Sequence, residues 1–170
     1  MTRSKKELQK KYGLGLFVGR FQPFHKGHLH AIKSACSFCE KMVIGIGSSK
    51  EKGTETNPLS SRMRIRLIKK GLYGYVNLRH LTFIEIPDFN DDEKWFRYII
   101  GREPGIEVVF SHNDVVRKIF TERGIAVVSP PWYRRNKLSA TAIRKLIRNN
   151  GKWKNRVPKN IVNNISKLRI

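Results

Sequence analysis

The sequence has no long apolar run. No stretch of it approaches the ~18 apolar residues that a membrane-spanning helix needs. The first eleven residues are rich in charge, and no apolar segment with a small-residue cleavage site follows them, so a secretory signal is not expected. We therefore expect no membrane association and a cytoplasmic location. The length of 170 residues favours one domain with a hydrophobic core of its own.

Cysteine is scarce, and the two that occur, Cys36 and Cys39, form one C-x-x-C pair. Such a pair can bind zinc or carry out redox chemistry, but the sequence offers no second pair for a four-ligand zinc site. A redox pair usually opens a helix, whereas this one falls near a predicted helix end. We interpret both residues as reduced thiols packed against a sheet, because free cysteine is usually buried.

Acidic residues are absent from the last part of the chain. All thirteen Asp and Glu lie at or before Glu122, while residues 123–170 contain thirteen Lys or Arg. With a net charge of +22, this asymmetry indicates an anionic partner: a nucleotide, a nucleic acid or an acidic membrane surface. A solvated basic face is the alternative, and charge alone does not decide between them.

Two common nucleotide-binding motifs are also missing. The sequence contains neither a Walker A pattern nor a G-x-G-x-x-G pattern, which disfavours P-loop and dinucleotide-binding proteins. Short apolar runs instead alternate with segments of helical periodicity. Strands separated by helices indicate βαβ units, so we predict an α/β fold with a doubly wound parallel sheet of five or six strands and a helical C-terminus.

The predicted elements follow from apolar runs, capping residues and glycine or proline stops. The predicted strands are 15–20, 42–46, 81–86, 107–111 and 125–128. The predicted helices are 28–38, a helix that Ser60 or Ser61 caps and that runs to about 70, 95–100, 114–122, 140–149 with Ser139 as its cap, and 158–168. Residues 1–12 are predicted to be a basic N-terminal arm, and residues 13–170 a single domain. Ligands of such sheets bind beyond the carboxyl ends of the strands, so functional residues should follow the strands directly.

Two histidines, His25 and His28, follow the first predicted strand at the start of a helix. Their i, i+3 spacing places both on one side of the first helical turn. A helix N-terminus presents unpaired N–H groups and a positive dipole, so this arrangement suits phosphate. Gly27 between them would let a ligand approach the backbone. A histidine can also be an ordinary helix cap, but the position after a buried strand favours a phosphate site.

A second element of this kind opens the helix near residue 140. Ser139 and Thr141 supply hydroxyl groups, and Arg144 follows one turn later on the same side. Hydroxyls, free N–H groups and a guanidinium are complementary to a triphosphate. An ordinary serine cap with a surface arginine is the alternative, and pairing with the histidine element favours phosphate binding.

The segment GRFQPFHKGHL, residues 19–29, resembles the N-terminal signature of archaeal-type nicotinamide-nucleotide adenylyltransferases, in the H-x-G-H nucleotidyltransferase superfamily. Further segments resemble the family's motifs in order, over about residues 13–157. They are Asn57-Pro58-Leu59-Ser60 (N-P-F-T), Pro87-Asp88 with Trp95, Ser111-His112-Asn113 (S-G-N) and Ser139–Arg144 (S-G-T-x-[IV]-R). The resemblance implies a Rossmann-like nucleotidyltransferase fold.

This resemblance implies adenylyl transfer from ATP to nicotinamide mononucleotide (NMN), giving NAD and pyrophosphate. We expect His25, His28, Arg20 and Arg144 to be catalytic. Arg134 or Arg135 is a further candidate for holding the triphosphate. The expected ATP- and phosphate-binding residues are Gly19, Phe21, Gly27, Asn113, Ser139 and Thr141. The expected acceptor-binding residues are Asp88, Phe89, Asp92 and Trp95, with Trp95 stacked on the nicotinamide ring. We interpret Asp91 as solvated or locally paired.

The expected cofactor is Mg²⁺ carried by the substrate phosphates, without a metal site of protein ligands. The resemblance also implies a homo-oligomer, commonly a hexamer. The sequence departs from the family's pattern at Ala140 and His112, which replace glycines, at Met63, which replaces a glutamate before Arg64, and at Asp92, which replaces an asparagine.

Two groups of alternatives stay open. The acceptor could be nicotinic acid mononucleotide, phosphopantetheine or flavin mononucleotide. The acidic loop of residues 88–93 favours the amide over the acid, because Asp88, Asp91 and Asp92 would repel a substrate carboxylate. The protein could instead bind nucleic acid through its basic C-terminal third, where Trp132, Tyr133 and Trp153 are interleaved with cations. We favour the enzyme, because both phosphate elements are intact.

Overall fold

The computed structural model describes residues 12–134 and 138–168. Five strands lie in this part of the chain: β1 (Tyr12–Gly19), β2 (Cys39–Ile46), β3 (Leu81–Glu85), β4 (Val108–Phe110) and β5 (Ala126–Val128). The α-helices of the same residues are α1 (Lys26–Cys36), α2 (Ser61–Leu72), α3 (Asp92–Arg102), α4 (Asp114–Thr121), α5 (Ala140–Arg148) and α6 (Val162–Ile165). Each predicted strand is therefore confirmed, within three residues at either end.

All neighbouring strands pair in parallel, in the order β3-β2-β1-β4-β5. The chain runs outward from β1 to β3, then crosses back and continues outward from β4 to β5. This reversal confirms the doubly wound α/β fold, with five strands among the described residues. The switch point lies between the carboxyl ends of β1 and β4, which is where such sheets bind ligands.

Two hydrophobic clusters cover the two faces of the sheet. Successive residues of a strand point to opposite faces, so Phe17 and Ile44 join one cluster while their neighbours Leu16 and Val43 join the other. The first cluster packs against α1, α2 and α5, and the second against α3 and α4. Burial on both faces explains why the central strands are apolar runs rather than alternating sequences.

Helices α2 and α5 begin directly after the serines that the sequence indicates as caps. The Ser60 hydroxyl accepts a hydrogen bond from the backbone N–H of Met63 (3.3 Å), and the Ser139 hydroxyl accepts one from Ala142 (3.1 Å). Helix α3 starts three residues before its predicted start, because the Asp91 carboxylate accepts a hydrogen bond from the Lys94 N–H at 2.8 Å and caps it. Asp91 is therefore bonded locally, to the backbone of Lys94, and serves as a helix cap.

The C-terminal segment differs from its prediction. A single helix over residues 158–168 is wrong: a 3₁₀ turn at Lys159–Ile161 precedes the four-residue helix α6. Asparagine and β-branched residues are frequent here, and both disfavour long helices. Trp153 is only 7% exposed and belongs to the core, so its proposed part in stacking on nucleic acid bases is wrong.

The N-terminal boundary also shifts by one residue. Tyr12, which the sequence places in the arm, is the first residue of β1 and pairs with Cys39 of β2. Residues 1–11 lie outside the described part of the chain. Cys39 is buried in the core and Cys36 is half-buried at the end of α1, which confirms that Cys39 packs at the sheet. Among the described residues, no helix is long and apolar enough to cross a membrane.

Two helical glycines give a test of the packing of α2. A Cβ at Gly71 would lie 2.6 Å from the ring of buried Phe24, whereas a Cβ at Gly101 of α3 would meet nothing within 4 Å. Gly101→Ala should therefore raise the free energy of unfolding by about 0.5–1 kcal/mol. Gly71→Ala should instead lower it by ~1–3 kcal/mol, because overpacking outweighs the helix propensity. Chemical denaturation of both variants measures the difference, and equal stabilisation would contradict the contact between Phe24 and α2.

Candidate active site

A cavity of about 370 Å³ opens at the switch point. The segments that form it are the loops after β1, β4 and β5 together with the first turns of α1 and α5. All of the predicted catalytic and phosphate-binding residues line it: Gly19, Arg20, Phe21, His25, Gly27, His28, Asn113, Ser139, Thr141 and Arg144. The fold thus brings together residues that are up to 125 positions apart in the chain (19 to 144).

The two histidines cap α1 by bonding to each other's backbone. The Nδ1 of His25 accepts a hydrogen bond from the N–H of His28, and the Nδ1 of His28 accepts one from the N–H of His25, both at 3.3 Å. Their rings stack, with centroids 3.7 Å apart and planes 23° apart. The edge of the Phe21 ring packs on His28 with centroids 4.8 Å apart. The pair is therefore held rigidly at the cavity wall.

Burial sets the charge of this pair. Desolvation lowers the pKa of His25 from 6.5 to about 4. Desolvation, and then the proximity of His25, lowers the pKa of His28 well below its ordinary value. Both rings are therefore neutral near pH 7. Because each Nδ1 already accepts a hydrogen bond, the proton of each neutral ring is on Nε2, which is left to donate to a ligand.

The structure explains the glycine at position 27 in a second way, besides the predicted approach of a ligand to its backbone. A Cβ at this position would lie 2.8 Å from Cε1 of His25 and 2.9 Å from its Nδ1. The missing side chain therefore makes room for the capping imidazole. Gly19 has a similar relation to Phe21, whose ring would lie 2.8 Å from an added Cβ.

The second phosphate element lies across the cavity, on α5. Arg144 is only 5% exposed, and its guanidinium donates to the backbone oxygen of Gln22 (2.7 Å) and to the Thr141 hydroxyl (3.3 Å). Burial, and then the nearby positive charge of Arg20, lowers the pKa of Arg144. The positive charges of Arg20 and Arg144 together create a field that favours an anion between them.

Sequence reasoning missed the part that Gln22 plays. Its buried side-chain amide makes two hydrogen bonds with the backbone of Leu59, donating to the oxygen at 2.8 Å and accepting from the N–H at 2.9 Å. Its own backbone oxygen holds Arg144. Gln22 thus joins the loop after β1 to the Asn57–Ser60 segment and to α5. Its place inside the 19–29 motif was the available signal.

Arg64 has a similar joining role on the other side. Its side chain is fully buried (0% exposed), and its guanidinium donates to the backbone oxygens of Arg20 (2.9 Å), Gly47 (2.7 Å) and Ser48 (3.0 Å). These oxygens belong to the loops that follow β1 and β2. Arg64 is therefore a positioning residue for the cavity, which it does not line.

Aromatic stacking closes the cavity beyond β4 and β5. The imidazole of His112 stacks on the indole of Trp132, with centroids 3.6 Å apart and planes 13° apart. Asn113, the next residue, caps α4 by accepting a hydrogen bond from the Val116 N–H at 3.1 Å. The substitution of histidine for the family's glycine at position 112 thus builds one half of an aromatic wall.

The four predicted acceptor-binding residues are not among the described residues that line this cavity. Asp88 follows β3 and accepts a hydrogen bond from the Ser48 hydroxyl at 2.9 Å. Phe89 packs on Tyr98, and Asp92 is exposed at the start of α3. Trp95 is half-buried, with its ring 6.0 Å from that of Phe120 in the second hydrophobic cluster. They form a separate group at the same edge of the sheet.

Of the two further arginines expected to hold the triphosphate, Arg134 and Arg135, the structure describes only Arg134. Arg134 is exposed, and its guanidinium lies 5.6 Å from the centre of the Tyr133 ring. It is not among the described residues that line the cavity. Arg135 lies outside the described residues.

Known proteins resemble this chain in sequence and in fold. A family model described as cytidylyltransferase-like matches residues 16–146, which defines the class of the protein. The nicotinamide-nucleotide adenylyltransferase of Saccharolobus solfataricus is 38% identical over 156 residues, which cover 91% of both chains. That of Pyrococcus furiosus is 36% identical over 157 residues, covering 91% of this chain and 84% of the other. The chain belongs to the family of nicotinamide-nucleotide adenylyltransferases, as its motifs predict.

Solved structures agree on the fold. A bifunctional NMN adenylyltransferase/ADP ribose pyrophosphatase from Francisella tularensis matches with a TM-score of 0.82 and 24% identity, covering 92% of this chain and 49% of the other. The same protein complexed with AMP and Mn ion matches with a TM-score of 0.75 and 25% identity, covering 88% and 45%. The chain thus spans about half the length of these structural neighbours.

The lowered pKa of His25 predicts how stability depends on pH. In the unfolded chain a histidine protonates near pH 6.5, but in the folded state His25 protonates near pH 4. The unfolded state therefore binds more protons between these values, so stability is complete above about pH 6.5 and falls as the pH drops toward 4. The gap corresponds to about 3 kcal/mol from this residue.

The variant His25→Asn keeps a capping acceptor but cannot titrate. Its free energy of unfolding, measured by chemical denaturation from pH 4 to pH 8, should fall less steeply below pH 6.5 than that of the native protein. His80→Asn, at an exposed histidine before β3, is the control and should keep the native slope. An unchanged slope in His25→Asn would mean that His25 is not buried in its neutral form.

Proposed function

We propose that the protein transfers the adenylyl group of ATP to NMN, giving NAD and pyrophosphate, and so acts in NAD biosynthesis. One observation carries this proposal: a neutral histidine pair, Arg20 and Arg144 converge on a cavity at the switch point of the sheet. The family supports it, since relatives that match over 91% of this chain bear the name of this activity. The fold and the residues together suit transfer between phosphates.

The catalytic roles follow from the donors that each side chain offers. Nε2–H of His28 donates to the α-phosphate as negative charge spreads in the transition state, and His25 donates to a neighbouring phosphate oxygen. Arg20 and Arg144 hold the triphosphate and then the leaving pyrophosphate. Gly19, Phe21, Gly27 and Asn113 shape the nucleotide site, and Ser139 and Thr141 present hydroxyls and N–H groups at the start of α5.

The reaction needs no general base. The phosphate of NMN is already an anion, and it attacks the α-phosphorus of ATP as the bond to pyrophosphate breaks. The enzyme's work is to align the two substrates and to stabilise the transferring group. Neutral histidines suit this work, because their Nε2–H groups donate hydrogen bonds to phosphate oxygens without neutralising the negative charge of the attacking NMN phosphate.

Mg²⁺ is the expected metal, and it neutralises charge on the triphosphate. The residues described around the cavity include no Asp or Glu, and the described residues form no cluster of metal ligands. Phosphate oxygens and water would therefore be its ligands, which suits Mg²⁺ because it keeps much of its hydration. The bound Mn in one structural neighbour supports a divalent metal.

Binding of the acceptor NMN is assigned to the residues that follow β3. Asp88, Phe89 and Asp92 would orient the nicotinamide amide, and Trp95 would stack on the cationic ring. Asp88 and Asp92 are exposed and carry negative charge toward this side, which disfavours an acceptor with a carboxylate. The wall of His112 and Trp132, across the cavity, would contact the adenine.

Three wider properties belong to the same proposal. The chain from Tyr12 onward forms one nucleotidyltransferase domain, which is supported by the C-terminal residues Val157, Ile161 and Ile165 that join the core of β1 and β2. The protein acts in the cytoplasm. It assembles into a homo-oligomer, with the family's hexamer as the expected form.

Incubation of the protein with ATP, Mg²⁺ and NMN tests the reaction. NAD and pyrophosphate should form in equal amounts, and nicotinic acid mononucleotide in a parallel reaction should give less dinucleotide because of the acidic loop. Liquid chromatography and a pyrophosphate assay measure both products. Absence of dinucleotide from either acceptor, in a folded protein that binds ATP, would overturn the proposal.

Replacement of His28 tests the transition-state role. His28→Asn keeps an acceptor for the His25 N–H but removes the Nε2–H donor, so kcat should fall roughly 10²–10³-fold with little change in the KM for ATP. His80→Asn, at an exposed histidine before β3 and outside the cavity, should leave kcat unchanged. Steady-state kinetics of both variants measure this, and native turnover in His28→Asn would contradict the assigned role.

A further inference from the structure

A basic surface with exposed tyrosines lies on α2, outside the active site. Helix α2 carries exposed cations Arg62, Arg66, Lys69 and Lys70, and Tyr73 at its end is 73% exposed. No Asp or Glu occurs between Glu55 and Glu85 in the sequence. Arg62, Arg66 and Lys70 are four residues apart, so their charges repeat about every 6 Å along one side of the helix, and Lys69 lies beside Lys70.

Two neighbouring depressions make this surface a groove. The first, of about 560 Å³, is lined by the four cations of α2 together with Tyr73 and Asn160. The second, of about 580 Å³, shares Tyr73 and Asn160 and adds Lys26, Tyr75, Tyr133 and Lys159. The described residues that line the two depressions include no acidic side chain. We call the two depressions together the α2 groove.

The α2 groove is rigid and leads to the active site. The Asn160 amide donates to the backbone oxygen of Lys70 (2.6 Å), and the Lys70 ammonium donates to the Asn164 side chain (2.8 Å). These bonds fix the C-terminal segment against α2. At the far end, the ring of Tyr133 stacks on His30 at 3.6 Å and also lines the nucleotide cavity.

We propose that the α2 groove binds single-stranded nucleic acid, with phosphates along the cations of α2 and bases stacked on Tyr73 and Tyr75. Rows of cations beside exposed aromatic rings are what sequence-independent binding of single strands requires. Tyr73 and Tyr75, at 73% and 51% exposed, offer free ring faces, which a duplex with stacked bases would not use. A second copy of the chain fits less well, because like charges would face each other at a net charge of +22.

Binding of a fluorescein-labelled single-stranded RNA of about 16 nucleotides, followed by fluorescence anisotropy, tests this proposal. With four phosphates neutralised, a plot of the logarithm of the binding constant against that of salt concentration should have a slope of roughly −3. Arg66→Gln should lower the magnitude of that slope by about 0.7. The double variant Tyr73→Ala/Tyr75→Ala should weaken binding at least about tenfold, while Tyr73→Phe/Tyr75→Phe should bind nearly as the native protein does.

The control variants carry equal charge changes on the other face of the sheet. Lys94→Gln on α3 and Lys118→Gln on α4 remove exposed cations that are remote from α2, and they should leave the binding constant and slope close to native. Dinucleotide formation should be native in every groove variant, because Arg66, Tyr73 and Tyr75 do not line the active-site cavity. This readout separates loss of the groove from loss of the fold.

Several outcomes would overturn the proposal. Equal weakening by the control variants, or equally tight binding of inorganic polyphosphate, would mean that net charge alone attracts the polyanion. Tighter binding of duplex RNA, or of vesicles with anionic lipid, would assign the groove to that ligand instead. Concentration-dependent self-association that Arg66→Gln abolishes would make the groove an interface between copies of the chain.

Discussion

The arrangement of the active site depends on the buried guanidinium of Arg64. Burial of a charge is costly unless hydrogen bonds compensate it, and here three backbone oxygens from the loops after β1 and β2 accept its hydrogen bonds. Burial lowers the pKa of Arg64, while Glu85 and Asp88 raise it. A charge placed in this way fixes the positions of both loops, and one of those loops carries Arg20 and leads into the histidine pair.

Gln22 extends the same principle to α5. Its side chain bonds the backbone beside Ser60, which caps α2, and its oxygen accepts a hydrogen bond from Arg144. The two phosphate elements are thereby linked through one buried amide. The proposed alignment of a triphosphate for attack would need such fixed geometry, because a small misplacement of the reacting atoms is costly in rate. Arg64 and Gln22, which position the loops, therefore matter to the geometry of the site as much as the side chains that line it.

The predictions from sequence agree most closely with the structure where a feature depends on neighbouring residues alone, such as a helix cap or an apolar run. Ser60 and Ser139 cap the helices that they were expected to open, and the apolar runs became the buried strands. The prediction for residues 158–168 was wrong, since hydrophobic spacing alone does not make a helix among asparagines and β-branched residues. Trp153 was misread for a related reason: an aromatic residue among cations is buried or exposed according to packing, which composition does not reveal.

Motifs and periodicity within short segments were enough to predict the family, the parallel α/β fold and the residues that line the cavity at the switch point. The neutral state of both histidines follows from the folded structure alone, since desolvation comes from residues distant in the chain. The tertiary structure also decided that Trp95 rests on the second hydrophobic cluster and that the cations of α2 meet the C-terminal segment in one groove. Such properties arise from contacts between elements, which no single segment of sequence specifies.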